Sequence, residues 1–246
     1  MFHTSVKIWY LFHSGFAVKT EKHFLVFDYW RDKPKGGGLD SGVIDPAALR
    51  DEDVVVFVSH KHGDHYNRCI FKWRDCVPKL RIILSDDVRG IKDTQMIGPG
   101  ATHTMPDMTV RTLASNDAGV AFVVDVDGLR IYHAGDLNWW HWEGEPDEYN
   151  AGMADSYKKE IDLLKGTPLD IAFVPVDPRL GEQYAWGMDY LMRTAEVRYA
   201  VPMHFGKDPS VVERLLRDKV TEAYRERIVG FTRCGEMKEW EEAEER

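Results

Sequence analysis

The sequence predicts a mixed α/β (α+β) chain whose strands fall in two runs separated by helices. Residues 54–58, Val54-Val55-Val56-Phe57-Val58, are apolar and mostly β-branched throughout, the pattern of a buried strand. Residues 120–126 and 129–133 are two further strand-like runs on either side of Asp127-Gly128, a strong hairpin signal. A length of 246 residues with 43% hydrophobic and 30% charged content is ordinary globular composition, able to bury a substantial core. With no repeat and no linker in view, residues 1–246 read as a single domain.

Taken in order, residues 8–12, 16–18 and 24–28 read as three short strands of a meander, turned at His13-Ser14-Gly15; Asp28 ends the third and reads either as a support for site residues or as a turn residue. His13, on a turn with no other metal-type residue beside it, reads as a structural hydrogen-bonding residue. Residues 31–42 hold three consecutive glycines but lack the Gly-Lys-Ser/Thr ending of a phosphate loop, so they read as surface loop. Asp45 caps a short helix with Pro46 at its first position. A helix follows His65 as far as Trp73, then a strand at 81–84; residues 86–108 show no clear pattern, and His103 stands isolated in them. Residues 143–156, acidic with Pro and Gly, read as a mobile flap ahead of an amphipathic helix at 156–164. The remainder reads as a strand at 170–176, a helix at 186–196, a strand at 199–203, a helix at 209–225, a strand near 235–239 and an acidic tail at 241–246.

The chemistry gathers at strand ends. Ser59-His60-Lys61-His62-Gly63-Asp64-His65 places three histidines and a carboxylate within six residues, directly after the buried run 54–58. Ten histidines spread over 246 residues make chance a poor account of that density. His60 and His62, two apart, point to one side of extended backbone, and Gly63 lets the chain bend to aim Asp64 and His65 nearby. Imidazole and carboxylate suit zinc, iron or manganese, and so dense a cluster has room for two ions. Asp136 ends the second hairpin strand beside Gly135, and His204 ends the strand at 199–203. His133 belongs to the strand itself and is the weaker candidate ligand. Trp139, Trp140, His141 and Trp142 follow Asp136 and suit a pocket wall as well as a core. Asp177-Pro178-Arg179 follows another buried strand; Arg179 can hold a carboxylate or phosphate bidentately, or simply pair with Asp177.

Composition narrows the function classes. A net charge of −9 and a pI near 5.6 oppose broad binding to nucleic acid or an anionic membrane. The first residues lack a charged segment followed by an apolar one, and no apolar run approaches membrane-spanning length. Three cysteines, odd in number and without metal spacing, fit a reduced, cytoplasmic protein.

Together these groups resemble the metallo-β-lactamase superfamily. His60-Lys61-His62-Gly63-Asp64-His65 matches its HxHxDH signature, Asp136 its bridging aspartate and His204 its last histidine, in the same chain order. The chain is most similar to the small single-domain branch that contains ascorbate-6-phosphate lactonase, through the opening meander with His13, the run 132–136 and Pro202-Met203-His204. The resemblance implies a four-layer αββα sandwich and one or two divalent transition-metal ions, zinc first, with manganese or iron as alternatives. It implies His60, His62, Asp64, His65, Asp136 and His204 as ligands. The family also has a ligand histidine ahead of the hairpin strand, where this chain reads Leu113-Ala114-Ser115-Asn116-Asp117-Ala118-Gly119. Asp117 or water is left to complete the His60–His62 half. The implied activity is a hydrolase that directs a metal-bound hydroxide at a small ester, lactone or phosphoester. Asp64 would orient that water or take its proton, and Arg179, His141 and Tyr184 would contact substrate. The expected partner is a small molecule rather than nucleic acid or membrane, with a homo-oligomer left open. The alternatives are a metal-binding protein or sensor that has lost catalysis, motivated by the absent histidine, and a nucleic-acid phosphodiesterase.

Overall fold

The structure, a computed structural model, describes residues 5–89 and 91–241; of the acidic tail read at 241–246, Glu241 ends a strand and 242–246 lie outside the described residues. The chain divides into two compact units, residues 1–96 with 233–246, and residues 97–232.

The first unit is built on a seven-stranded sheet. β1 (Ser5–Phe12), β2 (Gly15–Lys19) and β3 (His23–Phe27) form the expected antiparallel meander. β4 (Asp53–Val58) and β5 (Leu80–Ser85) continue it in parallel, and β6 (Gln95–Ile97) borders β5. The chain's last strand, Met237–Glu241, pairs antiparallel with β1. Val54, Val56 and Val58 share one face of β4 and join Ile70, Trp73, Val77, Tyr29 and Ile44 in a buried cluster. Each such side chain contributes roughly 1.5–3 kcal/mol on burial. The helix expected after His65 is a 3-10 stretch, Arg68–Asp75, started by Asn67, whose carboxamide accepts from the Cys69 N–H. Its three-residue period stacks Ile70 over Trp73, so both face β4. Asp45 caps a 3-10 turn, Pro46–Leu49, by accepting from the Ala47 N–H.

The second unit holds a six-stranded sheet and three helices. β7 (Thr102–Thr104), β8 (Met108–Ala114), β9 (Val120–Val126) and β10 (Leu129–His133) run antiparallel. β11 (Pro168–Pro175) and β12 (Glu196–Met203) extend the sheet parallel to β10. The β9–β10 turn adopts positive φ at both central residues, 49° at Asp127 and 80° at Gly128, as a type I′ hairpin requires. The two parallel crossovers carry α1 (Asp147–Asp162) and α2 (Trp186–Thr194), which pack on each other while α2 lies against β11 and β12. α3 (Ser210–Arg217) follows β12.

Three expectations change here. The flap read at 143–156 is largely helix, because α1 starts at Asp147. Asp147 and Glu148 suit a helix N-terminus, and Asn150, Ala154, Tyr157 and Ile161 bury one face. Asn150 also ties the preceding loop down, exchanging two 2.9 Å hydrogen bonds with the backbone of Trp142. β8 escaped notice because Thr109 and Arg111 interrupt its buried Met108, Val110 and Thr112. The helix read at 209–225 stops at Arg217, because Asp218 turns extended and its carboxylate accepts from the Val220 N–H.

Candidate metal centre

In the first unit, β3 and β4 are parallel, with Phe27 opposite Phe57. Asp28, one residue past β3, therefore stands beside the loop that leaves β4. Its φ of 45° is a left-handed value that aspartate tolerates, and its side chain is buried. The carboxylate accepts from the Ser59 N–H at 2.8 Å, from Ser59 Oγ at 2.7 Å and from His65 Nδ1 at 2.8 Å. With its proton committed to Asp28, Ser59 Oγ receives the Nδ1–H of His60 at 2.9 Å. Both imidazoles are thereby set in the tautomer that carries its lone pair on Nε2. His60 and His65 are fully buried, their rings 4.1 Å apart, and the exposed His62 stands edge-on to His60 at 4.6 Å. Asp64 is exposed at the tip of the loop, and His13 Nε2 lies 3.6 Å from its Oδ2.

The second unit repeats the logic at one edge of its sheet. β10, β11 and β12 are parallel neighbours, so Asp136, Asp177 and His204 leave the same end of three adjacent strands. Gly135, at a φ of 53°, permits the turn that presents Asp136. Trp140 Nε1 donates to the Asp136 carbonyl at 2.9 Å and closes that turn. His204 Nε2 stands 3.3 Å from Asp136 Oδ1, while its Nδ1 donates to Asp177 Oδ2 at 3.0 Å. Burial pushes the Asp177 carboxyl up, but hydrogen bonds from His204 and Arg179 outweigh it and hold the group well below the usual carboxylate range. Asp117 brings a carboxylate oxygen within 4.8 Å of one on Asp136.

The remaining candidates fall in different places. Arg179 is 63% exposed, clamps Asp177 through Nε and Nη2, and lies over the Trp142 ring. His141 is half-buried with its ring 4.9 Å from that of Trp186. Tyr184 is 1% exposed; its hydroxyl donates to Asp218 and its ring lies under Arg214. The Nδ1 of His133 accepts from the Gly135 N–H, which commits that ring to the turn. His103 sits in β7 opposite Val110. Sequence reasoning left Asp28 between a supporting residue and a turn residue, and the structure shows it holding Ser59 and His65; it missed Asp177 as an orienting carboxylate and the approach of His13 to Asp64. The signal for Asp177 was its place two residues beyond β11, which runs parallel to β12, the strand that His204 follows.

The donors fit a divalent transition-metal ion. Neutral imidazole with carboxylate is the mixture that zinc, manganese and iron accept. Two ligands about 2.1 Å from a tetrahedral ion stand about 3.4 Å apart. The separation between His204 Nε2 and Asp136 Oδ1 is 3.3 Å.

Comparison with known proteins agrees. A family model described as the beta-lactamase superfamily domain matches residues 7–145. A metal-dependent hydrolase of Thermococcus kodakarensis is 27% identical over 241 residues, 87% of this chain and 93% of its own. Among solved structures, the metallo hydrolase Igni18 of Ignicoccus hospitalis superposes with a TM-score of 0.64 at 19% identity, covering 97% of this chain and all of that one. The di-iron β-hydroxylase CmlA of Streptomyces venezuelae gives 0.62 at 12% identity, with 96% of this chain on 54% of that one. These structural likenesses show the fold. They also show that the fold hosts more than one metal chemistry.

Proposed function

The chain belongs to the beta-lactamase superfamily and is a metal-dependent hydrolase of the metallo-β-lactamase fold, and on that premise we propose that its substrate is a small ester, lactone or phosphoester. The ligands in this reading are His60, His62, Asp64 and His65 of the first unit and Asp136 and His204 of the second, with zinc as the metal. The observation that carries it is the fixed tautomer of His60 and His65: Ser59 and Asp28 hold each Nδ1 and leave Nε2 as the binding nitrogen. A buried carboxylate and hydroxyl arranged so around two histidines are the usual supports of ligating imidazoles.

When bound, the ion supplies a water acidic enough to act as nucleophile near neutral pH and a Lewis acid for the substrate oxygen. Asp64, exposed on its loop, accepts the proton of the attacking water at its carboxylate. Arg179 offers its exposed guanidinium to an anionic substituent of the substrate, held in place by Asp177 and by the face of Trp142. His141, against Trp186, contacts the uncharged part. The acidic charge of the chain favours a small molecule over a polynucleotide.

The test has two steps. Protein purified without chelator is analysed for metals; less than about a third of an equivalent of any transition metal, with unchanged folding in His62→Ala, sinks the metal claim. A panel of lactones, phosphodiesters and thioesters is then assayed with zinc, manganese and iron. Turnover that Asp64→Ala abolishes supports the hydrolase, and binding of metal without turnover of any substrate in the panel counts against it.

A further inference from the structure

We propose that His13 is itself a metal ligand, acting with Asp64 and His65 of the same unit; the proposal rests on the metal-dependent reading above. The residue occupies the first position of the two-residue turn between β1 and β2, with a φ of 60°. Ser14 has no positive φ, so the turn is of the kind in which glycine is the preferred first residue. An imidazole stands where the backbone asks for no side chain.

The turn is built to hold that imidazole still. The His13 N–H donates to the hydroxyl of the buried Tyr10 at 2.8 Å. Gly15, just beyond, is pressed so close to the carbonyls of Asp28 and Phe12 that a Cβ there would stand 3.0 Å from each. The backbone thus has little room to swing the ring away. The His13 side chain is 11% exposed and lies edge-on to His65, with ring centres 5.6 Å apart.

The distances fit ligation better than a direct pair. His13 Nε2 and Asp64 Oδ2 are 3.6 Å apart, too long for a hydrogen bond. They stand near the spacing of about 3.4 Å that two ligands of one tetrahedral ion adopt. One ligand atom each from His13, Asp64 and His65 lie within 4.8 Å of one another. The Nδ1 of His65 is committed to Asp28, so Nε2 is the nitrogen it brings. Two imidazoles and one carboxylate are donors that a divalent transition-metal ion accepts. His13 therefore enlarges the histidine complement of a chain whose segment 113–119 lacks one.

The experiment uses His13→Gly and His13→Asn, because both residues accept a left-handed φ and keep the turn. Metal-free protein is titrated with Zn²⁺ and with Co²⁺, the latter followed by its visible absorption bands. We expect Kd to weaken by about tenfold or more in both variants. We also expect the Co²⁺ bands to change in position and intensity, and added imidazole to restore them in His13→Gly. The metal-free variants should melt at or above the wild-type temperature. Variants that melt like wild type and bind Zn²⁺ and Co²⁺ with wild-type affinity and spectrum overturn the proposal and leave the hydrolase reading standing. A wild-type protein that binds neither ion overturns both.

Discussion

Asp28 is the residue on which the first unit's histidines depend, and replacing it should be felt before any metal is added. The carboxylate is buried and accepts three hydrogen bonds, from the Ser59 N–H, Ser59 Oγ and His65 Nδ1. Asp28→Ala strands three buried donors. Two fixed N–H groups left without an acceptor cost about 1.5 kcal/mol each, and the hydroxyl, free to rotate, about 1 kcal/mol. The φ of 45° adds about 1 kcal/mol for alanine, which lacks the local hydrogen bonds that let aspartate rest there. The expected loss is therefore about 5 kcal/mol, comparable with the whole stability of many domains. Asp28→Asn keeps the shape and one acceptor but turns an N–H₂ towards a donor, and should lose about 2–3 kcal/mol. Ser59→Ala removes a bond to Asp28 and the acceptor of His60 Nδ1, for about 1–2 kcal/mol.

Urea unfolding of metal-free protein in chelator at pH 7 reads these differences from the midpoints and slopes. The order Ala above Asn above Ser59→Ala follows from the count of stranded donors. An Asp28→Ala protein destabilised by less than about 1.5 kcal/mol refutes the reasoning, since relaxation or water would then be satisfying the donors. The double variant of Asp28→Asn with Ser59→Ala should be less damaging than the sum of the two singles, because both remove the same Oγ–carboxylate bond.

Three further predictions concern the second unit. Asp177 has a folded pKa below its unfolded value, so its stabilisation is complete above about pH 4 and is lost as pH falls through the lowered value. Asp177→Asn should accordingly unfold more easily than wild type at pH 7 in urea, with the gap closing below about pH 4; a gap that widens on acidification rejects this. Arg179→Ala should raise KM about tenfold for anionic substrates and leave neutral ones unchanged, as expected of a residue that binds without entering the chemistry; equal effects on both would remove Arg179 from the site. Gly187→Ala places a Cβ 1.9 Å from Oδ1 of the buried Asn138 and 3.3 Å from the Trp139 backbone nitrogen, so it should lose about 1–3 kcal/mol by overpacking, read as a lower melting temperature; an unchanged melt would mean that the 138–139 segment yields freely.

What was legible in the sequence was what is local. The run 54–58 announced β4 because a strand covered on both faces carries no polar alternation. Asp127-Gly128 announced its hairpin because few residue pairs accept two positive φ values. His60, His62, Asp64 and His65 stood out as candidates because they share one loop. Asp28 lies 31 residues before Ser59, and only the parallel pairing of β3 with β4 brings them together. Asp177 and His204 meet for the same reason across β11 and β12. The start of α1 was misjudged because Pro, Gly and acids mark both a loop and a helix N-terminus, and the buried stripe from Asn150 to Ile161 decides between them. Tyr184 looked available beside Arg179 in sequence, but Asp218 and Arg214 enclose it from 30 or more residues away.

Backbone strain gives an independent view of the same residues. Among the described residues, five other than glycine have positive φ: His13, Asp28, Asp93, Asp127 and His204. Asp93 and Asp127 are aspartates in turns, where a short polar side chain makes the conformation tolerable. His13 and His204 carry a larger side chain at such a φ, which glycine adopts without strain. Each follows directly on a strand, β1 and β12, and a left-handed residue there turns the side chain back towards the strand end. The strain, roughly 1 kcal/mol at each, is thus tied to where the ring is delivered. At His204 the ring reaches Asp177 through Nδ1 and Asp136 through Nε2. Glycine at position 13 should stabilise the metal-free turn while removing a nitrogen donor; at position 204 it would also take a hydrogen bond from the buried Asp177 carboxylate and so lower stability. A backbone that carries histidine where glycine is easier fits the ligand roles proposed for His13 and His204.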